Sequence, residues 1–220
     1  MSSLDDLKHT VYRLRAPGGC PWDREQTHQS LCEHLIEETA ELLDTIDRMD
    51  MPHMREELGD VLLQVVLHAQ IAADNGHFTL DDVAAEINDK LIRRHPHVFG
   101  TVDAKTSDEV LVNWEKIKSQ EQAAKGKPAT VKEPPSRLPA LLLACEVYKQ
   151  VQKNPEYYGT HPLNEPVKAI ATELTEETAG AMLFKLTAAC RVAKIDPESA
   201  LRRHAAKEMA ALKAAVGVSS

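Results

Sequence analysis

The 220-residue chain has few aromatic residues and lacks the marks of a membrane or secreted protein. Aromatic residues make up 4% of it and hydrophobic residues 43%, so we expect an aliphatic and mainly helical core. No apolar run approaches the ~18 residues that a membrane span needs. The segment Met1–Asp6 has neither the basic nor the apolar region of a signal peptide. These absences predict a cytoplasmic protein without a membrane partner.

Cysteine spacing and net charge exclude further classes. No two cysteines form a C-x-x-C pair, which favours reduced thiols over a zinc site or a disulfide framework. The net charge of −8 argues against a broad basic face for nucleic acid. A negatively charged ligand would therefore need a local basic patch or a metal ion.

Common catalytic motifs are also missing. The chain has no G-x-x-x-x-G-K-[ST], G-x-G-x-x-G, G-x-S-x-G or H-E-x-x-H, and no His is followed by Asp. Only Glu25–His28 fits Glu-x-x-His, and it falls at the edge of a loop, which disfavours a di-iron oxidase bundle.

Two pairs of carboxylates are the most informative feature that is present. Glu38 and Glu41 are spaced i, i+3, as are Glu57 and Asp60, so each pair shares one face of a helix. Met49 lies midway between the pairs, inside a segment that Pro52 makes suitable for a turn. In a helical hairpin both pairs would then sit at one height, roughly 14 Å from the turn.

Four acids at one height repel each other unless a cation neutralises them or some are protonated. Carboxylate oxygens suit a hard ion, and we expect Mg²⁺, with Mn²⁺ as an alternative. Glu38 falls on the apolar stripe of its helix between Leu35 and Leu42, where an unpartnered carboxylate would be costly to bury. The alternative without a metal is that both pairs lie on solvated helix faces. A single E-x-x-E pair is expected by chance in a chain with 34 acidic residues.

A second constellation is basic and aromatic. Lys90 and Arg94 share a helix face at i, i+4 and could bind phosphate, although basic residues also favour a helix C-terminus for its dipole. Trp114 and Lys118 have the same spacing. Beside a phosphate site, Trp114 could stack on a base and Lys118 could contact a phosphate. Without such a site, the simpler interpretation is a tryptophan in the core and a solvated lysine.

Periodicity and breakers predict an all-α protein, a helical bundle built on antiparallel hairpins. The helices are expected over about 4–15, 28–48, 53–74, 80–94 and 107–122, with a second helical region over about 138–215. The predicted domains are 1–122 and 138–220, joined by a linker at 123–137.

The two halves are predicted to be related. Glu57–Leu63 is weakly echoed by Glu177–Leu183, with Gly180 in the place of Asp60. Ala211 then stands in the place of Arg94, so the second half is expected to have lost its site.

Five ordered blocks of the first half resemble the MazG family of nucleoside triphosphate pyrophosphohydrolases. The blocks are Gly19–Thr27, Leu35–Leu43, Arg55–Leu63, Asp89–Phe99 and Trp114–Lys118. The resemblance implies an all-α fold, a homodimer, Mg²⁺ dependence and hydrolysis of NTPs or dNTPs to the monophosphate and pyrophosphate in nucleotide-pool housekeeping. It assigns the metal to Glu38, Glu41, Glu57 and Asp60, and nucleotide contacts to Lys90, Arg94, Trp114 and Lys118.

Two residues are candidates for the general base: Glu38, which is expected to be partly desolvated, and its neighbour Glu37. The competing function is a non-catalytic helical dimerisation module whose acids bind a metal ion structurally. Such a module would gain thermal stability from the metal without releasing phosphate.

Overall fold

The fold is all-α, as predicted from the sequence. The computed structural model describes residues 2–124 and 131–217, and those residues contain helices but no β-strand. In chain order the helices are α1 (Ser3–Arg15), α2 (Pro21–Glu25), α3 (Cys32–Asp47), α4 (Met51–Asp74), α5 (Leu80–Arg94), α6 (Pro96–Phe99), α7 (Ser107–Ala124), α8 (Ala140–Gln152), α9 (Pro155–Thr160), α10 (Asn164–Glu173), α11 (Glu176–Val192) and α12 (Pro197–Ala215). None of these helices is long and apolar enough to cross a membrane.

The chain divides into two compact units, Met1–Lys118 and Ser119–Ser220. The division falls inside α7, which continues to Ala124. Part of the predicted linker, residues 125–130, lies outside the described residues, so the predicted domain limits remain predictions.

The core of the first unit sits on α4. Val66, Leu67 and Ile71 of α4 are buried together with Val11 of α1 and Leu31, which precedes α3. Helices α1, α3 and α5 all pack against α4. Burial of this aliphatic cluster is the main force that holds the unit together.

The turn between α3 and α4 positions the acidic pairs. Met49 takes a left-handed φ of 53°, which reverses the chain. Asp50 then caps α4, because its side chain accepts a hydrogen bond from the backbone N–H of His53 at 3.3 Å. Pro52 stands in the first turn of α4, where its missing N–H is not needed. A turn this short makes α3 and α4 antiparallel neighbours, and they pack against each other.

Local chemistry explains where helix boundaries depart from the prediction. Helix α3 begins at Cys32 and not at 28, since Thr27 and Ser30 exchange side-chain and backbone hydrogen bonds in a separate turn. Two short helices, α2 and α6, begin at Pro21 and Pro96 in segments where no helix was predicted. Helix α5 has the predicted start, with Thr79 as N-cap.

The second unit has its own core between α8 and α12, where one cluster contains six buried residues: Leu143, Val147, Val151, Ala205, Met209 and Leu212. Helix α11, which carries the echo of Glu57–Leu63, has no buried residue. The proposed relation between the two halves therefore remains a prediction.

Replacing Asp50 with Ala should destabilise the first unit by about 1 kcal/mol, because α4 loses its N-cap. Urea unfolding followed by tryptophan fluorescence measures this unit, since Trp22 and Trp114 both lie within it. Asp47→Ala is the control: Asp47 is exposed at the last position of α3, where a negative charge opposes the helix dipole. Equal loss of stability in both variants would contradict the capping role.

Candidate metal and nucleotide site

Three of the four predicted metal ligands meet between α3 and α4. Glu38 and Glu41 of α3 and Glu57 of α4 each offer a carboxylate oxygen, and these oxygens all lie within 4.8 Å of one another. Asp60 is outside this group of three, but it lies close enough to raise the pKa of both Glu38 and Glu57. Acids that were expected at one height on the two sides of the turn thus lie close together and form a cluster of negative charge.

The burial of the three acids is graded. Glu57 is buried, with 8% of its surface exposed, whereas Glu38 is half-buried and Glu41 is exposed. The buried Oε2 of Glu57 has no hydrogen-bond partner among the residues that the structure describes. An unpaired buried carboxylate oxygen is unfavourable, so the arrangement fits a ligand that supplies positive charge.

Electrostatics of the cluster follow from this geometry. Burial raises the pKa of the Glu38 carboxyl, and nearby acids raise it further: Asp60, Glu41, Glu57 and Glu37. Burial likewise raises the pKa of Glu57, followed by the repulsion of Glu41 and Asp60. His53 acts in the opposite direction and lowers the pKa of Glu57. Both glutamates therefore hold a proton more readily than an isolated glutamate does.

Glu37, the alternative base, lies outside the group of three. Its side chain is 56% exposed, and its Oε2 is 3.2 Å from Nδ1 of His34. The ring of His34 stands edge-on to Trp22, with 5.8 Å between the ring centroids. Trp22 is thereby connected to the acidic helix through His34, a role that the sequence analysis did not assign to it.

A cleft of about 430 Å³ adjoins the acids on the side of the turn. Glu41 and Glu57 line it together with Asp44, Arg48 and His53. Arg48 pairs with Asp44 at 2.9 Å, so the cleft carries charges of both signs. Asp44, Arg48 and His53 were not predicted from the sequence as part of the site, although the i, i+4 spacing of His53 and Glu57 is a signal that could have identified His53.

The predicted nucleotide-binding residues lie on α5 and α7. The guanidinium of Arg94 lies 5.3 Å from the centroid of the Trp114 ring, a cation–π distance. His95 meets the same ring edge-on at 4.9 Å. Lys118 lies 3.5 Å from Glu115 of its own helix, and Lys90 is half-buried on α5.

The position of Arg94 along the fold relates it to the acids. Helix α5 packs against α4 and follows it after a short turn, so the two helices run in opposite directions. Counting outward from the turn at 75–79, Arg94 returns to about the height of Asp60, at ~1.5 Å per residue along both helices. Arg94 of the basic set and Asp60 of the acidic set are thus expected at one level of the first unit.

The region that contains the four acids is similar to a known protein family. A model of the MazG nucleotide pyrophosphohydrolase domain matches residues 26–99. The chain is 42% identical over 211 residues to the nucleoside triphosphate pyrophosphohydrolase/pyrophosphatase MazG of Thermotoga maritima, covering 91% of this chain and 80% of that protein.

Two other relatives match over shorter regions. The nucleoside triphosphate pyrophosphohydrolase of Escherichia coli K12 is 46% identical over 151 residues, 68% of this chain and 57% of that protein. The uncharacterized protein YabN of Bacillus subtilis is 50% identical over 143 residues, 65% of this chain and 29% of that protein. The chain therefore spans only part of the length of these two relatives. The match across most of the Thermotoga protein, together with the domain match over the acidic helices, shows that this chain belongs to the MazG nucleotide pyrophosphohydrolase family.

Proposed function

We propose that the chain hydrolyses nucleoside or deoxynucleoside triphosphates to the monophosphate and pyrophosphate with the help of Mg²⁺, or Mn²⁺ in its place. The observation that carries the proposal is that carboxylate oxygens of Glu38, Glu41 and Glu57 lie within 4.8 Å of one another, and that one buried oxygen of Glu57 has no partner in the described part of the chain. Relatives named as nucleoside triphosphate pyrophosphohydrolases support the reaction class.

The metal site would consist of these three glutamates and Asp60. An all-oxygen set of carboxylates fits a hard divalent ion, and its charge would offset the repulsion that raises the pKa of Glu38 and Glu57. Such an ion supplies positive charge to the phosphate oxygens. The same four acids would thereby orient the triphosphate over α3 and α4.

The remaining residues act on the substrate and on water. Water attacks the α-phosphorus, the bond from that phosphorus to the bridging oxygen breaks, and pyrophosphate leaves. Lys90, Arg94 and Lys118 would hold the charge of the β- and γ-phosphates, and Trp114 would stack on the base. The common level of Arg94 and Asp60 supports this division of labour.

The proton of the attacking water needs an acceptor. Glu38 contributes an oxygen to the group of three, so we assign the acceptor to Glu37, which lies next to it and outside that group. Glu38 remains the alternative base. Turnover and metal binding of Glu37→Gln and Glu38→Gln variants distinguish the two assignments.

A homodimer and a cytoplasmic location belong to the same proposal, with no nucleic acid or membrane as partner. Apolar side chains on α3 and α4 are exposed in the single chain, including Leu43, Ile46, Met51, Leu58 and Leu62. A second copy would cover them, because large apolar side chains exposed together on neighbouring helices are typical of a protein interface.

Pyrophosphate release with Mg²⁺ across the common NTPs and dNTPs tests the metal assignment. Glu41→Gln and Asp60→Asn should each lower turnover by more than about 100-fold, beyond the usual effect of residues that only support a ligand. Glu56→Gln is the matched control, since Glu56 is 69% exposed and lies outside the group. Full turnover in both ligand variants would defeat the assignment.

The base is tested by two further variants. Glu37→Gln should lower kcat while leaving intact the rise in melting temperature caused by Mg²⁺. Glu38→Gln should lose both turnover and that metal-induced rise. If instead Glu37→Gln keeps full turnover, the assignment to Glu37 is wrong.

The raised pKa values predict how the metal-free protein responds to pH. The folded chain keeps protons on Glu38 and Glu57 to a higher pH than the unfolded chain does, because glutamates in an unfolded chain have a pKa of about 4.3. These groups therefore lower the stability of the first unit as the pH rises from there through their raised pKa values toward neutrality. Mg²⁺ should reverse this loss, and its effect on melting should be larger at neutral pH than in weak acid.

Glu57→Gln is the decisive variant for that behaviour. It should raise the melting temperature of the metal-free first unit at neutral pH and remove the shift caused by Mg²⁺, as followed by tryptophan fluorescence. A variant that melts lower than the parent chain without metal, and that still gains stability from Mg²⁺, would contradict the electrostatic explanation. Metal-induced stability without any pyrophosphate release in the parent chain would favour the non-catalytic module.

A further inference from the structure

Two histidines that are distant in the sequence meet in the first unit, outside the acidic cluster. The Nδ1 atoms of His28, in the turn before α3, and of His68 on α4 lie 2.8 Å apart. The planes of the two rings differ by 1°, and their centroids are 5.1 Å apart. Both residues are half-buried, and the fully buried Leu31 lies three positions after His28. The contact therefore ties the segment that leads into α3 directly to α4.

The number of protons on the two rings decides whether this contact can form. A hydrogen bond between two ring nitrogens needs a proton on one of them and a lone pair on the other. A neutral pair meets this condition, and so does a pair in which one ring is an imidazolium. Two imidazolium rings do not meet it, because both nitrogens then carry protons and two positive charges repel each other. The contact is therefore compatible with at most one added proton.

Among the described residues, no acid offsets that repulsion at His68. Burial lowers the pKa of His68, and the charge of His28 lowers it further, whereas no carboxylate acts on it in the opposite direction. The nearest acids on α4 itself are Asp60, which belongs to the acidic cluster, and Asp74.

Charged residues on the helices that pack against α4 are paired elsewhere. These pairs are Arg15 of α1 with Asp74 at 2.8 Å, His34 of α3 with Glu37 at 3.2 Å, and Asp81 of α5 with Lys8 at 2.6 Å. The charged residues on either side of the turn, Arg24, Glu25 and Glu33, are exposed. The two histidines thus face each other without a counter-ion.

We propose that His28 and His68 form an acid-sensitive latch, which holds the segment before α3 on α4 while at most one ring is charged and releases it when both are. The cause is the proton count of the contact itself. This histidine latch is independent of the proposed reaction, because neither residue belongs to the acidic or the basic set.

The structure confines the release to the turn before α3. Arg15 donates hydrogen bonds to the backbone carbonyls of Asp23 and Gln26, and an arginine keeps its charge in weak acid. After the turn, the thiol of Cys32 lies 3.4 Å from the carbonyl oxygen of His28, at the first residue of α3. Opening the latch therefore loosens the start of the helix that carries Glu38 and Glu41.

The direction of the effect follows from proton binding. Histidines of the unfolded chain take up protons below about pH 6.5, whereas His68 in the closed latch takes up its proton only at lower pH. The latch is therefore fully stable above that pH and loses stability as the pH falls below it, toward the lowered pKa of His68. Because the closed form binds one proton fewer, the ratio of open to closed form rises up to about tenfold per pH unit in this window.

Hydrogen exchange of the metal-free full chain, followed by mass spectrometry, tests the latch. After correction for intrinsic exchange rates, a peptide that covers residues 27–32 should lose roughly tenfold of its protection between about pH 7.5 and about pH 5.5. The acidic cluster acts in the opposite direction, because Glu38 and Glu57 are protonated in weak acid and then repel each other less. Peptides from the acid-bearing part of α4 should therefore not lose protection over the same range.

Replacing His68 with Gln removes the second charge and keeps the contact. A carboxamide offers a donor and an acceptor, so it can bond His28 in either protonation state. His68→Gln should therefore show equal protection of residues 27–32 at both pH values. His77→Gln is the matched control, since His77 is exposed and outside the contact, and it should lose protection in acid as the parent chain does. An unchanged acid loss in His68→Gln, or no acid loss in the parent chain, would overturn the inference.

Nuclear magnetic resonance of the ring nitrogens gives a second readout that needs no change at His68. In the parent chain, His68 should take up its proton below the ordinary histidine value of about 6.5. His28→Gln should move that titration to higher pH, because the charge of His28 is one of its two causes. A His68 ring that titrates at the ordinary value, or whose titration ignores His28→Gln, would contradict the latch.

Discussion

Repulsion among the carboxylates that α3 and α4 hold close together is the constraint that links the fold of the first unit to its site. Packing of aliphatic side chains on α4 fixes the helices, and the capped turn at Arg48–Asp50 fixes the height at which their acids face each other. The fold thereby brings carboxylate oxygens of Glu38, Glu41 and Glu57 to within 4.8 Å of one another, with Asp60 nearby. Stability and function are coupled here, because the charge that opposes folding is also the charge that would recruit a metal ion.

The closeness of Glu38, Glu41 and Glu57 could be predicted from the sequence, because helical periodicity and one proline determine their common height, whereas their role as metal ligands stays a prediction. Once Glu38 and Glu57 are assigned to helices on either side of a short turn, their common height follows from the rise per residue. The cleft beside them could not be predicted in the same way. Arg48 and His53 line it only because the turn takes one left-handed residue, Met49, and that backbone choice has no strong sequence signal.

The second half shows where pattern reasoning reaches its limit. The weak echo at Glu177–Leu183 suggests a duplicate of the first half, yet the helix that carries it buries no residue. The core forms instead between α8 and α12, which are distant in sequence. Burial is a property of three-dimensional packing, so an apolar helix face without a cover could be recognised only in the structure.

We propose that the acids of α3 and α4 share one divalent ion. Anomalous diffraction from a crystal soaked in Mn²⁺ would locate that ion. We expect one peak between the two helices, at roughly 2.2 Å from carboxylate oxygens of Glu38, Glu41 and Glu57. A map without a peak at this position, with the acid side chains turned away from each other, would contradict the claim.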